Sequence, residues 1–268
     1  MNEQNFEYLS KQLKLTGFGE ELREGLKSKM EKGETAFTLF HDKDYGRDST
    51  VATLQFNKSE NSGLYFFNRY NLLVKTPQST EPIKQTFYIN SKEDNITLKE
   101  GYNLMSGRAV HKELTPKEGE KYKAWVQLDF KATDKYGNFE MKKFHEKYGY
   151  DLEKTLSKYP LKELSSPEDK KLLVESLERG NRQSATFVHN GKEQRIFVEA
   201  SPQFKSLNLY DASMKRVQAQ TLYDKNNESQ GVQQETKKES LQQEKTGGDD
   251  DADATGKKQS RRKGQRVS

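Results

Sequence analysis

Two groups of side chains in this 268-residue chain have the types and spacing to act on a polyanion. Lys257, Lys258, Arg261, Arg262, Lys263 and Arg266 crowd the last dozen residues with no acid among them. Such a run can neutralise up to six phosphates, which gives a sequence-independent, salt-sensitive affinity for DNA or RNA. Its alternative role is to keep the chain soluble. The second group is Tyr65, Phe67 and Arg69, which on a strand share one face, with Leu64, Phe66 and Tyr70 read as the apolar side. Aromatics and arginine exposed on a sheet stack bases. The competing reading is burial of both faces under a helical cover, and the Gly-Phe-Gly/Ala-Phe pattern of ribonucleoprotein strands is absent here.

Other chemistries find less to work with. His41, His111, His145 and His189 contain no pair at the spacing of a helix-borne metal site. Asp42 and Asp44 alternate on a strand and offer oxygen ligands for a divalent ion, or simply a solvated strand end. There is no cysteine for a thiolate site or nucleophile, no phosphate-binding GxxxxGK[ST] loop and no GxSxG elbow. Gly17-Phe18-Gly19 lacks both the preceding strand and the third glycine of a dinucleotide site. No cofactor is expected. A metal-dependent hydrolase or nuclease would have to bring acids together from afar, with Asp42, Asp44 and Asp129 the first candidates.

Charge divides the chain. The net value of +5 hides an acidic stretch at 223–256, with four basic and nine acidic residues, ahead of the all-basic end. The composition of 221–268 offers too little apolar surface to offset ordering entropy, so this tail is expected to be disordered. The acidic block can fold back on the basic one and weaken its hold on nucleic acid. No window approaches the ~18 apolar residues of a membrane span, and no secretory leader is visible, so a cytoplasmic location without membrane contact is expected.

The elements that must position these residues follow from periodicity. Phe6, Leu9 and Leu13, then Leu22, Leu26 and Met30, recur at helical spacing and predict a helical hairpin over 2–32. From 35 to 90 the period falls to two, and short turns predict a four-stranded antiparallel meander beneath that hairpin. Thr97 and Glu100 form a capping box for a helix burying Leu98, Tyr102 and Met105. Ala109 and Val110 lead into a turn-rich segment. Ala124 to Phe130 alternate as a strand with Trp125 on the far face, and 139–158 is helix-prone. Ser166-Pro167-Glu168-Asp169 starts another helix, running through Leu172, Leu173 and Leu177. Asn190-Gly191 marks a hairpin turn, and a third strand ends near Tyr210.

The expected architecture is therefore α+β. A helical hairpin on an antiparallel meander occupies 1–95, and a central mixed segment 96–164. A helix plus three-stranded sheet follows at 165–220, and the tail at 221–268. The edge of the last sheet is available for strand addition by a partner.

Three stretches carry a likeness. Leu98-Lys-Glu-Gly-Tyr-Asn-Leu-Met-Ser-Gly-Arg-Ala-Val110, Lys121 to Phe130 and Phe144 to Leu152 resemble a family of uncharacterised Bacteroidota proteins often encoded on conjugative and other mobile elements. Gly191 to Lys205 and Asn208 to Asp211 resemble a short module that recurs in the same proteins, and Phe6 to Asn90 resembles the family's front half. The likeness spans roughly residues 1–220. It implies a mobile-element setting and kinship, and no activity. The expected function is a non-enzymatic accessory protein that binds DNA or RNA weakly through its basic end while the body docks an unidentified protein. The alternatives are a purely protein-binding regulator with a solubilising tail, and the hydrolase or nuclease above.

Overall fold

A computed structural model describes residues 1–91, 94–116 and 118–224. The chain opens with α1 (Glu3–Leu15) and α2 (Arg23–Glu31). Asn2 caps α1 by accepting a bond from Asn5 N at 2.9 Å. The predicted stripe of Phe6, Leu9 and Leu13 is buried, as are Leu26 and Met30 of α2. Both helices lie on the meander β1 (Ala36–Tyr45), β2 (Asp48–Lys58), β3 (Tyr65–Lys75) and β4 (Ile83–Tyr88), which pair antiparallel in that order. Helix α3 (Leu98–Met105), with the predicted capping box in place, closes the same face of the sheet.

A second sheet pairs β5 (Val110–Leu114), β6 (Tyr122–Thr133) and β7 (Phe139–His145). Two stretches differ here from their predicted form. Residues 110–114 form a strand where turns were expected, and 139–145 is a strand where helix was expected. In each case pairing with β6 overrides local preference, and Phe139 and Met141 gain contact with the main core. Helix appears only afterwards, as the short α4 (Leu152–Leu156). Trp125 is buried on the far face of β6 as expected, stacked on His111 and edge-on to Tyr150.

Helix α5 (Pro167–Glu178) starts at the Ser166 cap with Pro167 in its first turn. Leu173 and Leu177 are buried, whereas Leu172 faces solvent. The third sheet contains β8 (Gln183–His189), β9 (Lys192–Ser201), β10 (Ser206–Tyr210) and the two-residue β11 (Arg216–Val217), one strand more than predicted. Asn190 and Gly191 both adopt positive φ at the predicted turn. The β8 edge is partly occupied, because Val188 N donates to Pro160 O and Leu161 bridges Phe187. The architecture is α+β, with an antiparallel meander under a helical cover. The tail expected to be disordered from 221 starts later: residues 221–224 are helical and Leu222 is buried, and the remainder, from 225 onward, lies outside the described residues.

Side-chain bonds join the three sheets within one unit, Met1–Leu222. Gln85 of β4 donates to Phe139 O at 3.2 Å and accepts from Phe139 N at 2.9 Å. Asn103 on α3 donates to Arg179 O, just beyond α5, at 2.7 Å. Gly180 permits that junction. Its φ is +78°, and a Cβ there would stand 2.8 Å from both Ala109 O and Val110 Cγ2.

Gly180→Ala is expected to destabilise the fold by about 2–5 kcal/mol, combining a left-handed backbone with overpacking. Gly137, at φ +80° with nothing within 4 Å, isolates the backbone part. Gly137→Ala is expected to cost about 1–2 kcal/mol. Urea melts of both variants check the difference; equal costs would show that the junction is not tight.

Candidate nucleic-acid interface

Among the described residues, the first sheet is covered on one side only. Its far side carries every second residue of four strands, and the pairing register sets them in rows. One row reads Thr38, Gln55, Arg69 and Tyr88; the next reads Phe40, Thr53, Asn71 and Thr86. Phe66, opposite Asn57, begins the row on the other side of Arg69. Phe40 is 64% exposed, Tyr88 61% and Phe66 48%. Large apolar side chains at this exposure on adjacent strands call for a reason, since a sheet face of this kind is ordinarily polar.

The predicted base-stacking trio is thereby corrected. Tyr65 and Phe67 are 5% and 3% exposed and belong to the core, where Phe67 stacks on Phe56 and Tyr65 packs against Phe37. Only Arg69 of the three is on the open side. The cause is a β-bulge: Gln55 pairs with Arg69 and Phe56 with Phe67, leaving Asn68 as an extra residue. Strict alternation read backward from Tyr70 places Phe66 in the core. The bulge reverses the phase and turns Phe66 outward instead. Phe66 and Tyr88 are the aromatics that sequence reasoning missed. Tyr88 follows Phe87 on β4 and was legible as its outward neighbour, whereas Phe66 needed the bulge.

Arg69 has one side-chain partner on this face. Its Nε donates to Gln55 Oε1 at 2.7 Å, and among the described residues no carboxylate pairs with it. Tyr88 is directly across the strand pair from Arg69. Cations at Arg69, Lys75 and Lys84 share this face with the acids Asp42 and Asp44. Beside Phe66, between α1 and the ends of β3 and β4, runs a groove of about 520 Å³. Asn2, Gln4, Tyr8, Asn68 and Asn90 line it, offering amide donors and acceptors beside an aromatic ring. Stacking surfaces, a guanidinium and neighbouring amides are the parts needed to hold unpaired bases.

The other candidates are scattered. Asp42 and Asp44 belong to β1 of the first sheet, and Asp129 belongs to β6 of the second, where it pairs with Lys142 at 2.8 Å. That bond lowers the Asp129 pKa. Among the described residues no group of three metal-ligating side chains comes together. His111 Nδ1 is 3.0 Å from Glu178 Oε1, and His145 packs on the Tyr122 ring. Lys257, Lys258, Arg261, Arg262, Lys263 and Arg266 lie outside the described residues. Among the described residues, no helix is long and apolar enough to cross a membrane.

Comparison with protein families, with curated proteins and with solved structures finds no match to this chain.

His41 is the one histidine enclosed by the core. It packs edge-on to Phe18, its Nε2 is buried without a partner, and its Nδ1 is 3.7 Å from Glu21 Oε2. Burial lowers its pKa, and Lys43 adds to this, while Glu21 and Asp42 oppose it. As pH falls through the unfolded value near 6.5, the unfolded chain takes up a proton that folded His41 resists. Stability contributed above that pH is lost progressively below it. Urea midpoints at pH 7.5 and 5.5 should therefore fall more for the native chain than for His41→Gln; an unchanged difference would refute this assignment.

Proposed function

We propose that this protein binds single-stranded nucleic acid without sequence preference, as a non-enzymatic accessory factor of a mobile genetic element. The observation that carries the reading is the exposed Phe66, Arg69 and Tyr88 group on the open side of a four-stranded antiparallel sheet. Bases stack on Phe66 and Tyr88, because every base has a π face. Arg69 sits between them, where its guanidinium reaches a phosphate or the plane of a third base. The basic run from Lys257 to Arg266 adds a long-range, salt-sensitive attraction that brings strands to the body. Binding is weak at physiological salt, because the acidic stretch ahead of that run competes for its cations.

One observation favours a protein partner instead. Phe40 is the most exposed of the three aromatics and lies on β1, an edge strand. A strand added to that edge would cover it. On this reading the body works in the cytoplasm as an adaptor and the tail only keeps it soluble.

Fluorescence anisotropy with a labelled oligothymidylate separates the two. Phe66→Ala and Tyr88→Ala are each expected to weaken binding roughly 5- to 150-fold, the range for losing ~1–3 kcal/mol per stacked base. Phe40→Ala is expected to have little effect. Replacing the six C-terminal cations by Gln should flatten the dependence of log K on log salt by roughly four, at about 0.7 per phosphate. Native affinity in both aromatic variants would refute the sheet face as the binding surface, and no binding by the full chain would leave the adaptor reading.

A further inference from the structure

At the β1–β2 turn, on the side where α3 packs, Tyr45 and Tyr102 stack with ring centroids 4.2 Å apart. Three cations surround this pair. Lys99 Nζ is 4.2 Å from the Tyr45 centroid and 4.8 Å from that of Tyr102. Arg108 Cζ is 5.0 Å from the Tyr102 centroid, and Lys43 Nζ is 5.9 Å from that of Tyr45. The nearby carboxylate, Asp48, accepts the Tyr102 hydroxyl at 2.9 Å. Among the described residues no acid forms an ion pair with Lys43, Lys99 or Arg108, although eleven other lysine or arginine pairs with a carboxylate occur there.

We propose that Lys43, Lys99 and Arg108 form a binding site for a phosphoryl oxyanion above the Tyr45–Tyr102 pair. The cations come from separate parts of the chain and converge on one pair of rings, so their proximity is a product of the fold. Like charges held together raise each other's energy, and cation–π contact offsets that only in part. A multivalent oxyanion offsets the rest.

The guanidinium is already oriented. Arg108 Nε donates to Gly180 O at 3.0 Å and Nη2 to Asn103 Oδ1 at 2.7 Å, so its direction is set by the junction between α3 and α5. Lys99 faces solvent on one side and supplies a movable ammonium. A fixed guanidinium with mobile ammonium groups suits a phosphate, whose oxygens accept several charge-assisted bonds. The surroundings also act on Lys99 itself. Lost hydration, then the charges of Arg108 and Lys43, pull its pKa down to about 8. Asp48, Tyr45 and Tyr102 are the other titratable groups at the site, and burial raises the pKa of both phenols, so neither supplies a negative charge near neutral pH.

This site is independent of the sheet face proposed above, and its test reads individual lysines. The full chain is acetylated with trace reagent at pH 7.5, with and without inorganic pyrophosphate at matched ionic strength, and each lysine is quantified by peptide mass spectrometry. Without pyrophosphate, Lys99 is expected to react faster than the exposed Lys27 of α2. With it, Lys99 is expected to slow at least fivefold while Lys27 does not change. A trinucleotide with and without a 5′-phosphate repeats the measurement; protection only by the phosphorylated form marks a strand end as the source, and protection by pyrophosphate marks a free oxyanion. Titration calorimetry of Lys99→Gln and Lys43→Gln, neither of which is hydrogen-bonded to the α3–α5 junction, is expected to show at least tenfold weaker pyrophosphate binding with an unchanged melting temperature. Protection of all lysines alike, no protection by either ligand, or native affinity in both variants would overturn the proposal.

Discussion

Asn103 is fully enclosed on α3, and its carboxamide takes partners from three directions. Its Nδ2 donates to Arg179 O and to Asn181 Oδ1, and its Oδ1 accepts from Arg108 Nη2. A buried amide left without partners costs about 1–3 kcal/mol, so these bonds must all form when α3 seats. The helix is short, yet Leu98 and everything from Gly101 to Met105 is buried. Gly101 allows this. A Cβ there would stand 3.0 Å from Tyr70 Oη and 3.1 Å from Phe87 Cε2, so the backbone of α3 rests almost directly on β3 and β4. On its other side the helix meets β5, β6 and the end of α5, which makes it the element shared by the first two sheets and α5.

That seating settles which surfaces remain open. Helices α1, α2 and α3 all cover the same side of the meander, and no described element packs over its reverse. Phe66, Arg69 and Tyr88 are therefore exposed, because among the described residues every helix lies elsewhere. The same junction aims Arg108: the carboxamide that ties α3 to α5 also holds the guanidinium over Tyr102. Structural and binding roles thus meet in one hydrogen-bonded group. A change at Asn103 would act on the fold and on the cation cluster together, whereas changes at Lys99 or Phe66 would leave the junction intact.

Much of the fold was legible locally. Thr97 with Glu100, Ser166 with Pro167, and Asn190 with Gly191 each state a backbone geometry within four residues, and each forms as read. The misreadings share a different cause. Strand β7 is rich in Lys and Glu and becomes a strand only because β6 is there to pair with it. Asn68 is an unpaired insertion relative to β2, and nothing in its own neighbourhood announces that. One extra residue was enough to exchange the core and solvent faces of Tyr65, Phe66 and Phe67. The arginine of the candidate interface was therefore found and its aromatic neighbours were not.

The cation cluster was illegible for a stronger reason. Lys43, Lys99 and Arg108 have no mutual spacing that a helix or strand would translate into proximity; only the docking of α3 against the β1–β2 turn brings them to the same rings. Composition pointed instead to the C-terminal run, whose cations are neighbours in the sequence itself. These are physically different kinds of positive charge. The run can follow a polyanion in any conformation and is weakened by salt and by the acids before it. The cluster is partly desolvated and one of its members is fixed in direction, so it favours an anion that matches its geometry. Under the two proposals, a chain whose net charge is only +5 carries two anion-binding elements, one answering to charge density and the other to shape.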